Sequence, residues 1–307
     1  MTNEEAERLL ALARAADLAG PETPQWVERL TSERPRLAEA VRFFSGHGRH
    51  EEAAEIGANV WRLWLFSGEA AAGREFLAAA LDGGELRPSR ARALALYGDG
   101  VLAFRAGAQR ESHARNEAAL EAARAVGDRE VEALALVGLS RVALRDGDYA
   151  RVRELAQQAR ELVRDLDPSA DVAPLHLEAA GTRLAGELDA AARLYEESLD
   201  LNRRLGDSRM VAVELHNLGH VELHRGNEDT ADRCFAECAE LRNADDPYDT
   251  AMTDLNRAAI SFARGDVERA RGLLHDVEAA LSRAGIVLDP DDAYEVDWLQ
   301  ARLQRQP

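Results

Sequence analysis

The stretch "LHNLGHVELHRGNEDTADRCFAECAEL", Leu215–Leu241, decides the fold. Leu215, Leu218 and Gly219, with Val211 just before them, recur at helical spacing and fall on one side of a helix. Gly226 then interrupts the pattern, because glycine belongs at a helix end and not inside one. A second helical run follows, with Ala231, Phe235 and Cys238 on one face. The unit is therefore a helical hairpin.

The same punctuation extends in both directions. Gly68, Gly107, Gly147, Gly186, Gly226 and Gly265 follow one another at steps of 39 or 40 residues. Half a period away stand Gly127-Asp128, Asp167-Pro168, Gly206-Asp207 and Asp246-Pro247, all helix stop signals. A regular repeat of this length marks an array of stacked hairpins. After each mid-repeat glycine comes a small residue five positions on, or Val152 in one case, which lets the second helix pack close to the first.

The pattern Leu218-Gly219, Gly226, Ala231, Phe235 and Cys238 resembles the tetratricopeptide repeat family. The resemblance covers roughly residues 50 to 290, with a period longer than that family's 34. It implies an all-α, right-handed solenoid superhelix of about fourteen helices, with the first helix of each hairpin lining a concave groove. The expected organisation is an N-terminal helical cap over 1–50, about six repeats over 51–290, and a closing helix over 291–307, in one continuous domain. Upstream, "PQWVERLTSERPRLAEAVRFF" and "EIGANVWRLWLFSGEAAAGREFLAAAL" resemble the segment that joins the ATPase core to the repeat array in STAND-type bacterial transcriptional regulators. The chain departs from those regulators in having no ATPase core and no DNA-binding domain, so the resemblance implies a sensor array alone.

Composition narrows the function. Net charge is −18, so nucleic acid and anionic membranes are poor partners for the molecule as a whole. The chain contains no lysine, which removes a Walker A phosphate loop, a kinase phosphate clamp and a pyridoxal Schiff base in their usual forms. No apolar run is long enough to cross a membrane, the amino terminus lacks a signal-peptide core, and two cysteines make no disulfide scaffold, so a cytoplasmic protein is expected. Aromatic residues Trp26, Phe43, Phe44, Trp61, Trp64, Phe66 and Phe76 gather near the start and read as a packed cap. Cys234 and Cys238 read as buried small hydrophobes.

Three histidines, His216, His220 and His224, stand four residues apart on the first helix of the hairpin, 100° to 180° round from Leu215, with Asn217 beyond them. Groove-side positions of the other repeats hold Arg62, Tyr97 and Arg105, then Arg141 and Arg145, then His176 and Arg183. An Arg- and His-lined groove in an acidic protein points to an anionic partner: an acidic peptide, a terminal carboxylate, or a phosphorylated or carboxylated small molecule. The bland reading is a solvated helix face. "HNLGH" has the spacing of a zincin motif, but Asn217 stands where the general base would be, and a zinc ion would need a third ligand such as His224 or His176. No acid–base pair or nucleophile motif is present, so a non-catalytic binding module without a cofactor is expected. The alternatives are an enzyme or accessory protein acting on a small molecule, and a scaffold using its convex acidic face.

Overall fold

The computed structural model describes residues 1–20, 22–83 and 87–306; Pro307, the last residue of the expected closing segment, lies outside them. Every regular element among the described residues is helical. The helices are α1 (Asn3–Ala15), α2 (Thr23–Gly46), α3 (His50–Val60), α4 (Arg62–Phe66), α5 (Ala70–Ala80), α6 (Arg90–Arg105), α7 (Gln109–Val126), α8 (Arg129–Asp146) and α9 (Tyr149–Val163). After a 3-10 turn at Pro168–Asp171 come α10 (Val172–Leu184), α11 (Leu188–Leu205), α12 (Ser208–His224), α13 (Glu228–Leu241), α14 (Pro247–Ala263), α15 (Val267–Ala284) and α16 (Pro290–Leu303).

The repeat punctuation works as its chemistry requires. At Gly226 the backbone turns left-handed (φ 81), and the Asn227 N–H donates back to the Glu222 carbonyl at 2.8 Å, closing α12. At the other end, the Asp207 carboxylate accepts from the Met210 N–H at 2.9 Å and caps α12. The Asp of Asp246-Pro247 caps α14, accepting from the N–H groups of Tyr248 and Asp249. Within the hairpin, α12 meets α13 where Gly219 faces Phe235. A Cβ on Gly219 would lie 2.3 Å from Phe235 Cε1, so only glycine permits this approach.

Packing divides the chain into two compact units, Met1–Val142 with Gln158–Leu166, and Ala143–Gln157 with Asp167–Pro307. In the first unit, α1 and α2 pack on α3, burying Leu9, Leu10, Leu30, Leu37 and Phe44. Trp61, Trp64 and Phe76 are buried beside them, and the Trp64 and Phe76 rings lie 4.4 Å apart. Phe66, expected in the same cluster, is exposed: it is the last residue of the five-residue α4, two positions before the left-handed turn at Gly68. In the second unit the hairpins α10–α11, α12–α13 and α14–α15 pack in succession, and Cys234 and Cys238 are buried free thiols. No described helix is long and apolar enough to cross a membrane.

Candidate functional site

The second unit contains an unusual charged interior. The helix α12 directs Val211, Leu215 and Leu218 into its core. Its remaining face should then be wet. Instead, His216, Asn217 and His220 are almost completely buried, and His224 is only 8% exposed at its side chain. The cover is the chain's own α16, which lays Asp292 and Glu295 against the histidines and Asp291 against Arg183. The sequence reading gives these histidines an open wall; in the structure that wall is occupied, because an acidic helix end complements it.

The contacts are close and mutual. His216 Nε2 lies 3.0 Å from Asp292 Oδ1, and the Tyr248 hydroxyl of α14 donates to the other Asp292 oxygen. His220 Nδ1 and His224 Nε2 lie 3.1 and 3.0 Å from the same Glu295 oxygen, Oε2. Arg183, brought from α10, is fully buried; one guanidinium nitrogen lies 3.3 Å from Glu295 Oε1, and another donates to the Asp291 carbonyl at 3.2 Å. The far ring nitrogen of His220 pairs with Asn256 Oδ1 at 3.0 Å. His176 faces a different carboxylate, the buried Glu214, at 3.0 Å, and the Ser198 hydroxyl donates to that same oxygen. Trp298 closes the edge, stacked on His224 with ring centroids 4.5 Å apart and met edge-on by Phe262.

Charge states follow from these neighbours. Burial pushes the His216 imidazole below its ordinary pKa and outweighs the pull of Asp292, so the ring is neutral. Burial also pushes the Asp291 carboxyl up. It acts the same way on Asp292, but contact with His216, the Tyr248 hydroxyl and Arg183 reverses it and brings Asp292 down to about 2. Glu295 is held well below the usual carboxylate range: burial opposes ionisation, but His220, His224 and Arg183 overcome it. The Arg183 guanidinium stays charged although burial disfavours it, because Glu295 and the two aspartates surround it.

The other groove positions fall elsewhere. In the first unit, Tyr97 is buried edge-on against Trp61, Arg62 lies over the Trp61 ring at 4.6 Å, Arg105 is exposed and Arg141 is half-buried. In the second, Arg145 is exposed and the Asn217 amide donates to the Val213 carbonyl at 3.1 Å. A surface depression of about 470 Å³ in the first unit is lined by Arg90, Gly127, Asp128, Glu130 and Leu166. It involves none of the predicted residues, and Arg90 is already paired there with Asp128 and Glu130.

Sequence reasoning missed Asp291, Asp292 and Glu295. The signal was present: Asp291 and Glu295 are four apart on one helix face, the same interval as the histidines.

Solved structures align along nearly the whole chain. NprR in complex with its cognate peptide NprX shares 16% identity over 98% of this chain and 83% of that one, at a TM-score of 0.64. A Rap protein complexed with competence and sporulation factor shares 12% identity over 96% and 79%, also at 0.64. A tetratricopeptide repeat protein from Parabacteroides merdae shares 13% over 99% and 100%, at 0.59. The chain has the fold of a tetratricopeptide-repeat protein. At these identities the likeness is one of fold. No protein-family model and no curated protein sequence matches the chain.

Proposed function

We propose that this tetratricopeptide-fold chain is a non-catalytic regulatory module that binds an acidic, extended or helical peptide segment. The observation that carries the reading is the seating of α16: Arg183, His216, His220 and His224 receive Asp291, Asp292 and Glu295. A face that accepts one acidic helix has the donors to accept another. In this reading α16 is the resident occupant, and an external acidic segment competes with it. Two solved structures of the same fold hold a cognate peptide and competence and sporulation factor respectively, which supports the peptide class of partner. Arg62, Tyr97, Arg105, Arg141, Arg145, His176 and Asn217 remain candidate ligand contacts, of which Arg105 and Arg145 are the exposed cations.

The test uses a fluorescent peptide of residues 287–306 and the full chain, with divalent ions chelated. Binding is read by fluorescence anisotropy for wild type and for an Asp292→Asn, Glu295→Gln variant with a weakened resident helix. Apparent affinity scales with the fraction of chains whose site is free, so the variant is expected to bind about tenfold or more tightly than wild type. A peptide with Asp291, Asp292 and Glu295 neutralised should not bind. Equal binding of both peptides, or binding of neither, would remove the proposal.

A further inference from the structure

We propose that His220, His224 and Glu295 form a binding site for a divalent first-row transition metal of the zinc class, which fastens α16 to α12. One ring nitrogen each of His220 and His224 and a Glu295 oxygen all lie within 4.8 Å of one another. His220 Nδ1 and His224 Nε2 approach Glu295 Oε2 to 3.1 and 3.0 Å. A tetrahedral ion with bonds of 2.0–2.1 Å sets its donor atoms about 3.3 Å apart, so the two nitrogen–oxygen separations need to open by only a few tenths of an ångström, and the two imidazole nitrogens, within 4.8 Å of each other, adjust by side-chain rotation.

These atoms do not satisfy one another. The two nitrogens and both Glu295 oxygens are buried, yet none has a partner in hydrogen-bond geometry. They stand at contact distance without hydrogen-bond geometry, which an ion between them would resolve. The surroundings match a metal's outer shell. Asn256 Oδ1 accepts from His220 Nε2–H, which leaves Nδ1 as the lone-pair nitrogen facing Glu295. Arg183 holds the other Glu295 oxygen, and Phe235 and Trp298 wall the two imidazoles with apolar rings. Two imidazoles and one carboxylate are the donor set that suits zinc and its neighbours, with a fourth position left for water. The inference does not depend on peptide binding, and its test reads only the ion.

The experiment takes the untagged full chain, strips it with chelator and titrates it with Co²⁺ as a spectroscopic probe, followed by Zn²⁺. Wild type is expected to bind one Co²⁺ per chain with visible d–d bands that Zn²⁺ abolishes. The His224→Gln and Glu295→Gln variants should lose the bands, and Asn256→Leu should weaken binding about 10- to 100-fold through the outer shell. His275→Gln, at an exposed histidine, should change nothing. Because a variant could fail to fold, His224→Cys supplies a positive signature: a thiolate ligand adds a near-ultraviolet sulfur-to-cobalt charge-transfer band. A wild-type chain without stoichiometric Co²⁺ bands, or bands that survive in Glu295→Gln, overturns the site.

Discussion

Arg183 shows what a single buried charge commits a structure to. Its side chain is fully enclosed, and so is that of Glu295 opposite. Removing one partner of such a pair leaves the other desolvated and unmatched, at a cost of about 3–5 kcal/mol. Arg183→Met is therefore expected to lower unfolding free energy in urea by that amount, whereas the exposed Arg105→Met should fall within about 0.5 kcal/mol of wild type. Asp128 makes a milder, pH-dependent contribution at the start of α8. Burial would raise its carboxyl, but the Val131 N–H and the Arg90 guanidinium outweigh that and hold it below its ordinary value. A depressed folded pKa gives stability that is present above the unfolded value near 4 and is lost as pH falls through the folded one. The stability gap between wild type and Asp128→Asn, from urea melts at several pH values, should thus be full at neutral pH and close below pH about 4. A gap that stays constant or widens in acid would contradict the assignment.

Among the elements, the hairpin of α12 and α13 and the helix α16 behave differently. The hairpin is set by local rules: a cap at Asp207, a left-handed glycine at 226, and a glycine at 219 that admits Phe235. Gly219→Val would force two helices apart at a tightly packed crossing, which costs about 1–3 kcal/mol or more where the neighbours cannot yield. The Phe235 ring also meets His220 edge-on, so the same substitution should disturb the histidine face above it. Helix α16 has no such local necessity. Trp298 and Leu299 give it an apolar footing, and its position is otherwise specified by the three carboxylates against Arg183 and the histidines.

For the molecule as a whole, repeat architecture makes stability a sum of unit and neighbour terms. The first compact unit has its own core around Leu9, Leu37, Trp61 and Leu102, with no member from α12 or α13. Hydrogen exchange of the Gly219→Val variant is therefore expected to accelerate in α11 to α14 and to leave α1 to α5 protected as in wild type. Uniform acceleration across the chain would show a single cooperative unit instead. The net charge of −18 belongs to this scale too. It disfavours nucleic acid in general, and it makes the buried Arg and His cluster a local exception within an acidic field.

The hairpins could be read from the sequence alone because their determinants are local. Glycines every 39 or 40 residues, Asp caps and small residues at fixed offsets each act within a few turns of helix, so Leu215–Leu241 already contains its own fold. The three-histidine face and Arg183 could also be placed on their helices from periodicity. Their burial could not. Glu295 is some 70 residues from His220 and His224, and its pairing with them depends on where the chain after α15 returns. Charge complementarity over that separation has no period and no sequence spacing to betray it. Only the tertiary structure, by setting α16 on α12, turned a stripe of apparently wet histidines into a closed site.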